Sequence, residues 1–135
     1  MLLKAANILE MANAYTDAWC SGSGVQVASF FEENAESIIN AGTPTIGRAA
    51  IADAMGAFFS EFPDLVLRID DLRCGGNQVI YLWTLEGTNS GPGGTGNFVR
   101  IPGWQNWTLS SDLMIVKADG GYDAEEYDRQ IREGI

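Results

Sequence analysis

The chain predicts an α+β fold in which a curved sheet is covered on one face by N-terminal helices. Two observations lead there. Apolar residues recur mostly at helical spacing up to about residue 62, and strand-like segments take over from Leu65 onward. Within the strand half, residues 77–89 (NQVIYLWTLEGTN) alternate Val79, Tyr81, Trp83 and Leu85 with Ile80, Leu82, Thr84 and Glu86. That β-branched and aromatic content suits a central strand. Packing helices on one face of the sheet is the simplest way to hide both apolar stripes.

In chain order, Leu2, Ala5, Leu9, Ala12, Tyr15 or Thr16, and Trp19 predict a helix over residues 2–20, which the run Ser21-Gly22-Ser23-Gly24 ends. Ser23 is the N-cap candidate of a second helix carrying Val27, Phe30 and Phe31, and residues 35–40 form a short strand. Ile51, Met55, Phe58, Phe59 and Phe62 predict a third helix from Gly47, ended by Pro63-Asp64. Arg48 in its first turn opposes the helix dipole and is expected to pair with a carboxylate. Leu65, Leu67 and Ile69 begin a strand that Gly75-Gly76-Asn77 folds back onto the central one, with a bulge or solvated edge at Asp70-Asp71.

A glycine-rich loop over residues 90–97 follows. Its Gly91-Pro92-Gly93-Gly94-Thr95-Gly96 matches the dinucleotide pattern GxGxxG, but the fingerprint needs a helix after the glycines and here a strand follows, so a flexible hairpin loop is expected. A third strand is expected around residues 107–116, then a turn over 117–121, then a terminal helix over about 124–132.

At 135 residues the chain fits one domain, residues 1–135, able to bury a core without metals or disulfides. No apolar run reaches the roughly 20 residues that span a bilayer, and the opening residues lack the features of a signal peptide, so a soluble, cytoplasmic protein is expected. Cys20 and Cys74 are then expected as reduced, partly buried thiols. A net charge of −10 with scattered Lys and Arg argues against nucleic acid. Histidine is absent, which makes a zinc site unexpected and leaves carboxylates and tyrosines as acid–base candidates. Neither cofactor nor metal is expected.

The order of Tyr15 to Gly24, Phe30-Phe31, Gly47-Arg48, Pro63-Asp64 and Trp83-Thr84-x-x-Gly87-Thr88 resembles the nuclear transport factor 2-like superfamily, and within it the SnoaL-like polyketide cyclase and ketosteroid isomerase-like group. The resemblance covers nearly the whole chain. It implies a cone-shaped mixed sheet around the helices, an internal apolar pocket and a homodimer formed through the outer sheet face. It also implies a small apolar or aromatic carbonyl compound as substrate.

In the isomerase relatives a first-helix tyrosine and a late-strand acid donate hydrogen bonds to an enolate while a second acid moves the proton. By resemblance the first two are Tyr15 and Asp112, whereas the base would fall near Ile39-Asn40, where no side chain can take a proton. Steroid isomerisation is therefore not expected. In the cyclases the acid–base group resembles Asp123, in Gly121-Tyr122-Asp123 ahead of Tyr127-Asp128-Arg129-Gln130. Asn89 stands where relatives often carry histidine, and Gly120-Gly121 suggests a shortened last strand.

Trp83, Asn89, Trp104, Trp107 and Phe59 are the candidate pocket wall. Each candidate also has a plain structural reading. Asp123 with Glu126 forms a capping box, Tyr15 is a core residue, and the tryptophans fill the interior. Asp112 shares a strand face with Thr108, Ser110 and Met114 that points either inward or to solvent. The chain is then either a carboxylate acid/base enzyme or a non-catalytic binding or dimerisation module.

Overall fold

A computed structural model describes residues 3–135. Helix α1 (Ala5–Trp19) is followed by α2 (Gly24–Ala28), β1 (Phe31–Ile39), β2 (Thr45–Ile46) and α3 (Arg48–Glu61). Strands β3 (Val66–Gly75), β4 (Gln78–Thr88), β5 (Phe98–Leu109) and β6 (Ile115–Tyr122) then lead to α4 (Ala124–Glu133). The six strands form one curved sheet in the order β2-β1-β6-β5-β4-β3, with β1 and β6 parallel and every other pair antiparallel.

The helical spacing of α1 buries Ile8, Met11, Ala12, Tyr15 and Trp19 along one side. Leu2, expected in this helix, lies outside the described residues. Ser23 caps α2 as its sequence predicts, its side chain accepting from the Gln26 N–H at 3.2 Å. Helix α2 stops at Ala28 and Phe31 already opens β1, earlier than expected. Gly24 lets α2 lie directly on α3, since a Cβ there would stand 2.2 Å from the Ala52 carbonyl oxygen. Arg48 pairs with no carboxylate among the described residues; its Nε donates to the Phe31 carbonyl at 2.9 Å and ties α3 to β1.

In β4 the alternation holds. Val79, Tyr81, Trp83 and Leu85 are buried against the helices, while Ile80 faces out. The register of β3 on β4 shifts between Ile69 and Asp71, which is the expected bulge, on the sheet's edge strand.

The strands after the glycine-rich loop differ from expectation. The segment read as one strand over 107–116 is two strands and a turn: β5 begins at Phe98 and ends at Leu109. Ser110 and Met114 then close a turn in which Leu113 adopts φ 62°. Asp112 therefore sits on an exposed turn and shares no strand face with Thr108. The expected turn at 117–121 is instead the body of β6, paired to β1 on one side and β5 on the other. Its glycines reflect crowding: a Cβ on Gly120 would meet the Trp104 carbonyl oxygen at 2.1 Å.

The loop over 90–97, expected to be flexible, is pinned at several points. The Asn89 side-chain oxygen accepts from the Thr95 N–H at 2.9 Å, the Gly91 N–H reaches the Glu61 carbonyl at 3.2 Å, and Asn97 Nδ2 donates to the Ile131 carbonyl at 2.8 Å. Both cysteines are free, and they are exposed where partial burial was expected. No helix among the described residues is long and apolar enough to cross a membrane.

Candidate functional site

The concave side of the sheet and the helices enclose a cavity of about 50 Å³. Trp19 of α1, Met55 and Phe58 of α3, Tyr81 and Trp83 of β4, and Tyr122 of β6 contribute to its wall, as do Ile39, Trp104 and Tyr127. The glycines of β5 and β6 make room for these rings. The Trp83 ring packs against Gly103, where a Cβ would stand 2.1 Å from the indole, and the Trp104 ring lies 3.0 Å from a Cβ built on Gly121.

None of the described residues lining the cavity is charged. The polar side-chain groups of its lining residues are tyrosine hydroxyls, indole N–H groups and the Gln105 carboxamide. Burial pushes the Tyr81 hydroxyl well above the ordinary tyrosine range. Tyr127 shifts the same way, through burial first and then the nearby Glu61 charge, and Tyr122 through burial and the charges of Asp128 and Glu61. At neutral pH these groups are protonated hydrogen-bonding hydroxyls, not bases.

A buried polar cluster stands behind the wall. Tyr15, fully buried, donates to Gln105 Oε1 at 3.0 Å, and Trp107 Nε1 donates to the same oxygen at 2.8 Å. The Tyr15 ring meets the Trp107 ring edge-on with centroids 4.9 Å apart, and Tyr81 stacks on Trp107 at 4.7 Å. Thr16 donates to the Ala12 carbonyl at 2.8 Å, which uses its single hydrogen, so in the 2.6 Å contact between Tyr81 and Thr16 the phenol is the donor. Burial pushes the Tyr15 hydroxyl up to about 12.

The expected site residues fall into separate places. Trp83 and Trp104 line the cavity. Trp107 and Phe59 lie behind the wall, in the core, where Phe59 packs on Trp19. Asn89 is buried in the hairpin loop, with its side-chain oxygen holding Thr95. Tyr15 does not line the cavity; it stands behind the wall, its hydroxyl donating to Gln105. Asp112 is exposed on the β5–β6 turn, away from the cavity wall. Asp123, also exposed, is the N-cap of α4 and accepts from the Glu126 N–H at 3.1 Å. Glu126 turns to Arg129 and Gln130, so the box is closed from one side only.

Near the position where the isomerase relatives hold their base, Ile39 lines the cavity. Asn40 spends its side-chain oxygen on the Tyr122 N–H at 2.9 Å. Gln105 was missed by the sequence reading. Its signal is parity: Ile101, Gly103, Gln105, Trp107 and Leu109 share one face of β5, and Ile101, Trp107 and Leu109 are buried.

Several solved structures share this architecture. The candidate SnoaL-like polyketide cyclase of Jannaschia sp. CCS1 superposes with a TM-score of 0.81 at 19% identity, covering 96% of this chain and 94% of that one. A candidate hydroxylase, AclR of Streptomyces galilaeus, gives 0.82 at 15% identity over 96% and 83%. A protein of ketosteroid isomerase-like fold from Catenulispora acidiphila, solved with trimethylamine, gives 0.80 at 15% identity over 91% and 92%. At these identities the likeness is one of fold. No curated protein sequence matches. The family description SnoaL-like domain matches residues 12–118. With that match over most of the chain and the curved sheet wrapped on its helices, the chain belongs to the SnoaL-like family of the nuclear transport factor 2-like superfamily.

Proposed function

We propose that this SnoaL-like protein takes up a small, mainly apolar carbonyl compound in the cavity and holds it without carboxylate acid/base chemistry. The observation that carries this reading is the wall itself: aromatic and aliphatic side chains and tyrosine hydroxyls held protonated, with no charged residue among the described lining. An acid/base enzyme needs a group of matched pKa within reach of the reacting atom. Asp123, the candidate by resemblance, faces water and is engaged with the Glu126 N–H. To serve in the cavity it would have to give up its cap and swing inward.

The test is a binding and turnover screen of small aromatic and alicyclic ketones, followed by NMR on the wild type and Asp123→Asn. The expected result is ligand-induced shifts at Trp83 and Tyr122 that survive Asp123→Asn, with no turnover in either protein. A ketone consumed by the wild type but not by Asp123→Asn would overturn the reading in favour of the acid/base enzyme. Self-association through the outer sheet face, where Ile80 is exposed, belongs to the same proposal and is read by light scattering.

A further inference from the structure

We infer that Gln105 is the polar recognition group of this cavity, locked so that it presents N–H donors, and that Tyr15 and Trp107 are positioning residues acting through it. The inference rests on the cavity reading above and adds the atom that selects the ligand.

The Trp107 indole fixes which way the carboxamide faces. A carboxamide can ordinarily flip, exchanging its oxygen for its NH₂ group. An indole N–H is a donor only, so the atom 2.8 Å from Trp107 Nε1 must be the carboxamide oxygen. Tyr15 occupies the second acceptor site of the same oxygen at 3.0 Å. Flipping the amide would set an NH₂ against the indole N–H inside a fully buried cluster, where Trp107 and Tyr15 have no access to water. The oxygen is therefore committed, and the NH₂ group is the free end. Among the described residues Gln105 Nε2 has no protein partner. No buried side-chain nitrogen or oxygen in the described chain is left unsatisfied, so this nitrogen is not sealed in, and Gln105 is half-buried in the cavity wall.

A fixed donor in a mainly apolar wall favours, at that point, a ligand atom that accepts a hydrogen bond. A ketone, aldehyde or ester carbonyl meets that description. A group that only donates gains no hydrogen bond from this NH₂ group. Tyr15, assigned by resemblance to direct contact with the substrate, instead donates to the oxygen of the residue that would touch it.

Cyclohexanone and methylenecyclohexane test this, because they share a shape and differ in whether the exocyclic atom is an acceptor. In the wild-type protein the bound C=O stretch is expected at lower frequency than in alkane solvent. Gln105→Glu keeps an oxygen for Tyr15 and Trp107 but at neutral pH removes the donor, and should lower the ratio of ketone to alkene affinity about tenfold and abolish the frequency shift. Tyr15→Phe should reduce the ketone preference and shrink the shift while leaving the alkene's affinity unchanged, which a merely structural role would not do.

An unshifted C=O stretch in the wild type overturns the role of Gln105 and leaves the cavity reading standing. A Gln105→Glu protein that retains the wild-type ratio of ketone to alkene affinity overturns it as well. Failure of both probes to bind the wild type overturns the inference and the cavity reading together.

Discussion

The interior of β4 and β5 and the start of α4 both carry polar side chains, but under opposite conditions. In the interior, Tyr15, Tyr81 and Trp107 are completely buried and each polar atom is paired: Tyr15 with Gln105 and Tyr81 with Thr16, both far along the chain, and Trp107 with Gln105 two residues away on its own strand. At the start of α4, Asp123 and Glu126 bond within a few residues of themselves. Burial explains the contrast. A polar group removed from water costs about 1–3 kcal/mol unless it is paired, so an interior group persists only where the tertiary fold brings a partner to it. A group in water has no such requirement, and a nearby N–H suffices. Functional chemistry is accordingly expected from the first region and helix stability from the second.

The contrast can be broken most forcefully at Trp107. Trp107→Ala should lower unfolding stability by about 3–5 kcal/mol, read by chemical denaturation, because it opens a void beneath Tyr81 and leaves Gln105 and Tyr15 with one fewer partner. A loss below about 1 kcal/mol would mean that the cluster is not tightly packed. Gly103→Ala should cost about 1–3 kcal/mol and displace the Trp83 ring, since its Cβ would fall 2.1 Å from the indole; Trp fluorescence and ligand binding should change together. Tyr81→Phe should cost about 1 kcal/mol by removing the donor to Thr16, with little change in volume.

At the other region, Asp123→Ala should cost about 1 kcal/mol through loss of the cap, and Asp123→Asn markedly less, because the amide oxygen can still accept from the Glu126 N–H. The smallest effect should be acidic. The Arg129 guanidinium holds the Glu126 carboxyl at about 2, below its ordinary 4.5. Its contribution is therefore present above pH 4.5 and declines as the pH falls from 4.5 towards 2. The protection of α4 amides, corrected for the intrinsic pH dependence of exchange, should fall over that window in wild type and stay flat in Glu126→Gln. A loss of α4 protection that begins above pH 5 would point to a different group.

How much of this was legible in the sequence depended on whether a signal was local. The helices, the β3–β4 hairpin, the Ser23 cap and the bulge at Asp70-Asp71 follow from spacing and turn chemistry, which nearest neighbours decide. Strand β5 was misread because Pro102 and Gly103 interrupt its pattern, although Gly103 is there to receive the Trp83 ring. Gly120-Gly121 imitated a turn for a similar reason: two adjacent glycines mark a bend in isolation and a close approach between strands in the fold. Missing the start of β5 and the break after Leu109 in turn put Asp112 on a strand face and left Gln105 unnoticed.

The α+β order, the amphipathic helices, the alternation of β4 and the resemblance that identifies the family were all determined by the sequence alone, because each rests on periodicity or on motif order along the chain. Which polar groups meet was decided only by the tertiary structure. Tyr15 and Gln105 are separated by 90 positions and joined by one hydrogen bond. The direction of that bond, and so the face that Gln105 shows to the cavity, depends on an indole two residues further on whose N–H can only donate.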